Sequence, residues 1–270
     1  MDNTSPASRL PVIEVSHLST RFRDSRVHED VNLTVYRGEI FALAGGNGSG
    51  KSTLLREIIM LQEPTGGEIR LFGEDVLAIG EKGRDGLLRR CGVMFQYGAL
   101  FSSMTVAENV SAPLREHTRL GRKRVREIAE IKIGLVGLPP DSAWKYPNEL
   151  SGGMRKRAAM ARAIALDPEI LFLDEPSAGL DPEGAGGIDE LILHLRGLLG
   201  LTIFMVTHDL DSLWRVTDRV AVLGEGKILG VGTMEELSRL PDPLVEPYFH
   251  GPRGRAAREQ SWTRRSGTSP

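Results

Sequence analysis

The segment Gly45-Gly46-Asn47-Gly48-Ser49-Gly50-Lys51-Ser52 has residue types at a spacing suited to holding phosphate. It matches the pattern G-x-x-x-x-G-K-[ST] at every fixed position. Glycines let the backbone curl so that successive N–H groups and a helix N-terminus point at phosphate oxygens. Lys51 would neutralise the β- and γ-phosphates, and the Ser52 hydroxyl would ligate Mg²⁺. The alternative is a glycine-rich turn that binds no ligand.

Two carboxylates, Asp174 and Glu175, follow the apolar run Ile170-Leu171-Phe172-Leu173. Beside a bound nucleotide, Asp174 would hold Mg²⁺, usually through water, and Glu175 would accept a proton from the attacking water. By itself, an Asp-Glu pair after a strand is typical of a solvated turn. The phosphate-loop pattern in the same chain favours the catalytic interpretation.

The elements that must position these residues indicate an α/β core. Apolar runs and alternation predict strands at residues 31–35, 40–44, 68–72, 92–95, 170–173 and 201–206, and a closing hairpin over 220–223 and 227–229. Helical patterns are predicted over 52–60 and 188–199, and from Thr105 to about Leu166 the pattern is helical with no good strand. The sequence thus predicts an α/β core interrupted by a helical lobe.

The predicted domain organisation has three parts. Residues 1–11 are interpreted as a disordered lead-in, and residues 12–241 as the nucleotide-binding domain with a helical subdomain at about 97–160. Residues 242–270 form a C-terminal extension in which Gly251–Pro270 holds five Arg and one Glu, a basic tail on an acidic body.

Composition excludes several classes of protein. A net charge of −2 gives no global electrostatic reason to expect a nucleic-acid partner. Cys91 is the single cysteine, so no disulfide forms within the chain, which is compatible with a reducing cytosol. The N-terminus lacks the pattern of a secretory signal, and the longest apolar stretch, about 198–206, is too short for a membrane span of roughly 20 residues.

The segment Leu150-Ser151-Gly152-Gly153-Met154, about twenty residues before the carboxylates, resembles the signature of ABC-transporter ATPases. The resemblance covers most of the chain, from about Val12 to Gly251. It implies a P-loop NTPase (RecA-like) core with an antiparallel β subdomain and an inserted α-helical subdomain. It also implies ATP as the nucleotide and a head-to-tail homodimer in which Ser151, Gly152 and Gly153 face the γ-phosphate bound to the opposite subunit.

The resemblance implies roles for further residues in this sequence. Gln96 matches the family's Q-loop, which senses Mg²⁺, and residues 177–181, ending in Asp181, match the D-loop. His208 matches the switch histidine, which contacts the γ-phosphate. Phe22 falls where the family stacks an aromatic ring on adenine, with ordinary packing as the alternative. The nucleotide-binding set is then Gly45, Gly46, Asn47, Gly48, Ser49, Gly50, Lys51, Ser52, Thr53, Phe22, Ser151, Gly152, Gly153 and Asp181, with Ser52, Gln96 and Asp174 at the metal.

The stretch Gly98-Ala99-Leu100-Phe101 directly after Gln96-Tyr97 resembles the narrower MlaF/Mkl branch, which energises phospholipid traffic between bacterial membranes. That branch implies a multi-spanning MlaE-like permease, an MlaD-like MCE-domain protein and a small MlaB-like accessory subunit as partners. It places the chain at the cytoplasmic face of the bacterial inner membrane as a peripheral subunit.

Two departures from the branch keep alternatives open. The D-loop Ser177-Ala178-Gly179-Leu180-Asp181 has the general ABC form, and Pro247 stands where the branch has glutamine. The alternatives are an ATPase of an amino-acid or other small-solute importer, or a non-transport ABC ATPase of translation or DNA repair. The latter usually carry two cassettes or a long coiled-coil insertion, and neither is found in this sequence.

Two segments outside the nucleotide motifs also carry predictions. The stretch 97–110 holds exposed-looking apolar residues (Leu100, Phe101 and Met104), which indicate either a groove for a permease helix or packing within the lobe. At the C-terminus, Tyr248 and Phe249 favour docking of residues 242–251 on a cassette. The arginines beyond them are interpreted as a disordered end or as a contact with anionic lipid.

Overall fold

The computed structural model describes residues 10–23 and 25–240. These residues divide into two compact units: unit 1 holds the described residues up to Arg84 and from Phe204 onward, and unit 2 is Asp85–Ile203. Of the lead-in predicted over 1–11, residues 1–9 lie outside the described residues, and Pro11 is already the first residue of a strand. The whole predicted C-terminal extension also lies outside the described residues, so its docking and lipid predictions stay predictions.

Regular elements fill most of the described chain. The strands are β1 (Pro11–Phe22), β2 (Ser25–Tyr36), β3 (Ile40–Gly45), β4 (Gly66–Leu71), β5 (Glu74–Asp75), β6 (Cys91–Met94), β7 (Ile170–Asp174), β8 (Thr202–Val206), β9 (Arg219–Gly224) and β10 (Lys227–Gly232). The helices are α1 (Lys51–Ile58), α2 (Glu81–Arg89), α3 (Val106–His117), α4 (Arg122–Leu135), α5 (Gly152–Ala163), α6 (Pro182–Leu199), α7 (Leu210–Val216) and α8 (Met234–Leu237), with short 3₁₀ turns at Pro140–Trp144 and Pro147–Glu149.

Unit 1 contains an antiparallel sheet in the order β2-β1-β4-β5. In β2, the buried Val31, Leu33 and Val35 alternate with more exposed residues, as the sequence predicts. β1 is not predicted by alternation, because its pairing with β2 is broken by register shifts, and His17 within it has a positive φ of 51°. Bulges of this kind interrupt the period of two on which the prediction rests.

A second sheet in unit 1 runs in the order β10-β9-β3-β8. β3 and β9 are parallel, β9 and β10 form the antiparallel closing hairpin that the sequence predicts, and every residue of β3 is buried. The rings of Phe41 in β3 and Phe204 in β8 stack with centroids 5.9 Å apart. This buried sheet positions the loops that follow β3 and β8.

Unit 2 carries the predicted helical lobe. Between Thr105 and Leu166 the structure has α3, α4 and α5 with the two 3₁₀ turns and no strand, so the helical pattern is confirmed. Thr105 starts α3 with a capping box to Glu108. In the same unit, β6 pairs in parallel with the fully buried β7. β8 begins in unit 2 and ends in unit 1, since the division falls after Ile203.

Four helices differ from the sequence expectation: α6 begins earlier than predicted, and α2, α7 and α8 are not predicted. α6 begins at Pro182, six residues before the predicted start, with Asp181 as its N-cap. Three glycines in its first turns hide the apolar period there. α2 is not predicted, because Leu87 is its one buried residue. Among the described helices, none combines the length and apolarity needed to cross a membrane.

Candidate nucleotide-binding and catalytic site

The phosphate loop (residues 45–52) connects the end of β3 to the start of α1 in unit 1. Gly45 has a φ of 156°, and a Cβ there would lie 2.3 Å from the carbonyl oxygen of Leu223. Gly50 has a φ of 101° and forms the N-cap of α1. Both positions therefore require glycine, for lack of space at Gly45 and for backbone conformation at Gly50. The curled loop leaves the first N–H groups of α1 without intrahelical acceptors, as an anion site needs.

Lys51 lies over this loop and is 7% exposed. Its ammonium donates hydrogen bonds to the carbonyl oxygens of Gly45 and Gly46, at 2.9 and 2.8 Å. Ser49 Oγ is buried and finds no hydrogen-bond partner among the described residues. A positive charge and a spare hydroxyl inside a glycine-lined turn form a cradle suited to phosphate oxygens. Ser52 and Thr53 follow in the first turn of α1, both half-buried.

His208 follows β8, the strand next to β3 in unit 1. The N–H of Thr207 donates to the carbonyl oxygen of Leu43, two residues before Gly45. The histidine and the phosphate loop therefore follow the ends of neighbouring strands, and His208 is exposed there. Phe22 is the last residue of β1 and is 47% exposed. Exposure of that ring is compatible with stacking on a base and removes ordinary core packing as its role.

The two carboxylates lie at the end of β7 in unit 2. Asp174 is 7% and Glu175 9% exposed, so both are withdrawn from bulk water. Glu175 has a φ of 48°, a left-handed conformation that costs a non-glycine residue about 1–3 kcal/mol and is concentrated at functional sites. The solvated-turn alternative does not fit carboxylates buried to this degree.

A lysine that the sequence analysis does not single out connects two of the predicted catalytic residues. Lys156 Nζ in α5 donates to the carbonyl oxygens of Gln96, at 2.5 Å, and of Glu175, at 2.9 Å. Burial lowers the pKa of Lys156, and the nearby carboxylates of Glu175 and Asp174 oppose that shift. Unit 2 therefore brings Gln96 and Glu175 together through one buried cation.

The Gln96 loop (residues 96–105) is held by long side chains from the helices of unit 2. Arg162 in α5 donates to the carbonyl oxygens of Gly98 and Ala99, at 2.8 and 2.7 Å. The buried Asn109 side chain accepts from the N–H of Phe101 and donates to three carbonyl oxygens of the loop. Tyr97 is 91% and Phe101 53% exposed. The loop is thus anchored at its backbone while its aromatic side chains face outward.

Ser151 is the N-cap of α5, and its hydroxyl accepts from the N–H of Met154. Gly152 and Gly153 form the half-buried first turn. The predicted D-loop passes beside it, since a Cβ on Gly152 would lie 3.2 Å from the Leu180 side chain. Asp181 accepts from the N–H of Gly184 at 2.9 Å and caps α6. Further along the chain, Ala158, Ala161 and Ala165 are buried, whereas Met154 in the first turn is half-buried.

The donor set proposed for a metal suits Mg²⁺. Ser52, Gln96 and Asp174 offer a hydroxyl, an amide and a carboxylate oxygen, the hard ligands that Mg²⁺ takes together with water and substrate phosphates. Among the described residues there is no group of three or more His, Cys, Asp or Glu side chains arranged to hold a metal ion. A single carboxylate fits an ion that also binds nucleotide phosphates better than an all-protein metal cage.

The sequence analysis does not single out Lys156, Arg162 and His28, whose side chains contact the backbone of the loops at the site. The apolar residues of α5 and β2 account for the sequence patterns of these elements. The polar Lys156, Arg162 and His28 within them are therefore not picked out by those patterns. A charged or titratable residue at a buried position of its element is a usable signal. The partner of each residue, however, follows only from the folded structure.

A phosphate loop after a buried strand, with two buried carboxylates after a second strand, defines the class of nucleotide-hydrolysing α/β proteins. Residues 28–178 match the family model described as "ABC transporter". The chain therefore belongs to the ABC transporter ATPase family. Its fold is the ABC cassette fold, as predicted, and the chain is an ATPase that hydrolyses ATP.

Two known proteins are among the most similar. The "Probable ribonucleotide transport ATP-binding protein mkl" of Mycobacterium tuberculosis is 40% identical over 241 residues, covering 89% of this chain and 67% of that protein. The "Intermembrane phospholipid transport system ATP-binding protein MlaF" of Haemophilus influenzae is 38% identical over 240 residues, covering 89% of this chain and 90% of that protein. The resemblance to the MlaF/Mkl branch is confirmed at this level.

Among solved structures, the "Dimeric structure of a post-hydrolysis state of the ATP-binding cassette MJ0796 bound to ADP and Pi" matches with a TM-score of 0.76 and 28% identity. The match covers 82% of this chain and 98% of that cassette. That cassette was captured as a dimer with both products of ATP hydrolysis.

The names of the two relatives, mkl and MlaF, differ on cargo, and both describe ATP-binding proteins of transport systems.

Proposed function

We propose that this chain is the ATPase subunit of a complex that transports phospholipid between the inner and outer bacterial membranes. The observation that carries the proposal is the likeness to MlaF, which extends over nine tenths of both chains. The segment 98–101, whose sequence resembles the MlaF/Mkl branch, also supports it. Arg162 and Asn109 hold the backbone of this segment, and Phe101 is left half exposed, where a partner can contact it.

The proposed chemistry assigns each site residue one task. The phosphate loop and Lys51 bind the phosphates of ATP, and Phe22 stacks on the adenine ring. Glu175 accepts the proton of the attacking water, and His208 contacts the γ-phosphate. When bound, Mg²⁺ would supply charge neutralisation on the phosphates, with Ser52, Gln96 and Asp174 as its ligands.

The proposed assembly is a homodimer with two shared nucleotide sites. In it, Ser151, Gly152 and Gly153 at the start of α5 face the γ-phosphate bound to the opposite copy, and Asp181 belongs to the same interface. The dimeric cassette with ADP and Pi supports this arrangement for the family. The start of α5 supports it for this chain, since the N–H groups of Gly152 and Gly153 have no acceptor within the helix.

The proposed partners are a membrane-spanning MlaE-like permease, an MlaD-like MCE-domain protein and a small MlaB-like accessory subunit. Binding to the permease would hold the ATPase at the cytoplasmic face of the inner membrane. Tyr97 and Phe101 are exposed in a loop whose backbone Arg162 and Asn109 anchor, and such aromatic side chains fit the end of a permease helix.

A transport assay with both candidate cargoes tests the proposal. The complex would be purified through this chain, reconstituted in liposomes, and assayed for ATP-dependent transfer of a labelled phospholipid to acceptor vesicles and for uptake of a labelled ribonucleotide. We expect lipid transfer that stops in the Glu175→Gln complex. Ribonucleotide uptake without lipid transfer would favour the cargo in the mycobacterial relative's name and would contradict the phospholipid proposal.

A further inference from the structure

A cluster of buried polar side chains lies directly beneath the phosphate loop in unit 1. His28 in β2 and Glu57 in α1 have no exposed surface, and Thr20 in β1 is 1% exposed. Thr20 and His28 face each other across the β1–β2 pairing. Buried titratable groups cost folding free energy unless they are paired, so a cluster placed here needs a reason.

His28 lies within hydrogen-bond distance of Thr20, Glu57 and the phosphate loop. Thr20 Oγ1 donates to Glu57 Oε1 at 2.6 Å, and His28 Nδ1 lies 3.1 Å from Thr20 Oγ1 and 3.2 Å from Glu57 Oε2. On the other side of the ring, His28 Nε2 lies 3.1 Å from the carbonyl oxygen of Gly50. A carbonyl oxygen only accepts, so Nε2 carries a proton and donates it to Gly50.

The Gly50 carbonyl belongs to the same peptide group as the N–H of Lys51. The group is planar and trans, so the two point in opposite directions. Fixing the Gly50 oxygen against His28 therefore aims the Lys51 N–H away from the cluster and out of the helix start, where the phosphate loop presents its donors. The Leu54 N–H also donates to the Gly50 oxygen at 2.9 Å, and His28 adds the second bond from outside the helix.

Packing makes the contact a close one. A Cβ on Gly50 would lie 2.6 Å from His28 Nε2 and 2.9 Å from Val27 Cγ1. The imidazole thus fills the space behind the phosphate loop, and the loop cannot shift toward β2.

We propose that His28 is a positioning residue for nucleotide binding, which holds the Gly50–Lys51 peptide in its phosphate-binding orientation and is itself oriented by Glu57 and Thr20. The inference rests on the proposed role of the phosphate loop. His28 contacts no nucleotide; it acts through the backbone. Its loss should therefore weaken nucleotide affinity and change the turnover of bound ATP much less.

The test uses a variant that removes the His28 Nε2 donor and leaves no charged side chain buried in the cluster. Thr20→Val/His28→Leu/Glu57→Leu makes the cluster apolar, and replacing buried ionic groups by apolar residues of similar volume is often neutral or stabilising. We expect a melting temperature at or above that of the wild type, a Kd for ADP with Mg²⁺ raised about tenfold, near the upper end for one hydrogen bond, and a kcat within about threefold. An unchanged Kd in the folded variant would overturn the proposal.

Glu57→Gln is the matched control. It replaces the Glu57 carboxylate by an amide, keeps an acceptor for Thr20 and leaves the His28 Nε2 donor to Gly50 in place. We expect its Kd for ADP to stay within about twofold of the wild type. A loss as large as that of the triple variant would assign the effect to the charge of Glu57 and would overturn the role of His28.

A second measurement is made on the wild-type protein, so it does not depend on whether a variant folds. In the ¹⁵N-labelled wild-type protein, the His28 Nε2 proton should be observed by NMR as a slowly exchanging signal that shifts when ADP and Mg²⁺ are added. An Nε2 without a proton would overturn the proposal. Lys51→Ala separates the two levels of inference: if it too binds ADP normally, the phosphate-loop role itself is wrong, whereas if it alone loses binding, only the role of His28 is wrong.

Discussion

The phosphate loop of unit 1 and the Gln96 loop of unit 2 are held in different ways. The phosphate loop is fixed by glycines without room for a Cβ and by a wholly buried side chain, His28, pressed against it. The Gln96 loop is held largely through its carbonyl oxygens, by the cations Lys156 and Arg162 and by Asn109, and it exposes Tyr97 and Phe101.

The difference indicates which loop can move. Shifting the phosphate loop would require repacking of a close-packed interior, whose cost rises steeply. Long lysine and arginine side chains can follow a displaced carbonyl by changing rotamers. We infer that the phosphate loop is the more rigidly held of the two, because it is fixed by packing, whereas the Gln96 loop is anchored through hydrogen bonds from side chains. Variants in unit 2 sharpen this comparison, because they should change turnover, coupling or stability and leave the phosphate loop intact.

Glu175→Gln should give the largest loss. The amide is close to isosteric but cannot accept the proton of water, and general-base catalysis contributes roughly 10²–10⁴-fold to rate. We expect kcat for ATP hydrolysis to fall by that factor, and the variant to accumulate as an ATP-bound dimer detectable by size-exclusion chromatography. Turnover at the wild-type rate would remove Glu175 from the mechanism.

Lys156→Met tests the anchor between the Gln96 loop and Glu175. It removes two charge-assisted hydrogen bonds, each worth about 1.5–3 kcal/mol, from the backbone of Gln96 and Glu175. We expect kcat to fall about 10- to 100-fold with KM changed less than about threefold, because the phosphate loop is untouched. Lys156→Arg keeps the donors and should recover part of the loss. Equal kcat values for Met and Arg would contradict the anchoring role.

Phe101→Ala tests whether the outward face of the Gln96 loop serves a partner. With Phe101 half exposed, we expect basal ATPase activity within about twofold of the wild type, while stimulation by the reconstituted permease falls about tenfold, as for an interface anchor. Ile131→Ala, at a 61% exposed apolar position on α4, is the control and should change neither. Loss of basal activity and folding together would assign Phe101 to the core.

Ionisation of Cys91, in β6 of unit 2, should have a small effect on the free energy of unfolding at high pH. Burial raises the pKa of the Cys91 thiol to about 12 from its ordinary value of 9.0. Above pH 9 the unfolded chain loses this proton while the folded chain keeps it, so the free energy of unfolding falls as pH rises toward 12. Urea titrations at pH 8 and pH 10 should show the wild type losing roughly 1 kcal/mol more free energy of unfolding than Cys91→Ala. Equal losses would contradict this.

The sequence predicts the strands and helices that carry motifs because glycine turns, carboxylates and apolar runs are local signals. β3, α1, β7 and the helical lobe were predicted in this way. β1 was missed because bulges break its alternation, and the start of α6 because glycines interrupt its period. The contacts of Lys156 with Gln96 and of His28 with Gly50 join residues 60 and 22 positions apart, and no pattern within either element encodes them.

The central claim is that the phosphate loop sets nucleotide affinity while the carboxylate strand sets turnover. The most direct test is the equilibrium Kd for ATP with Mg²⁺, measured by calorimetry on Lys51→Ala and Glu175→Gln in parallel. We expect Lys51→Ala to lose most of its affinity, because a buried positive charge over the loop is removed, whereas Glu175→Gln should bind ATP at least as tightly as the wild type. Normal binding by Lys51→Ala, or weak binding by Glu175→Gln, would contradict it.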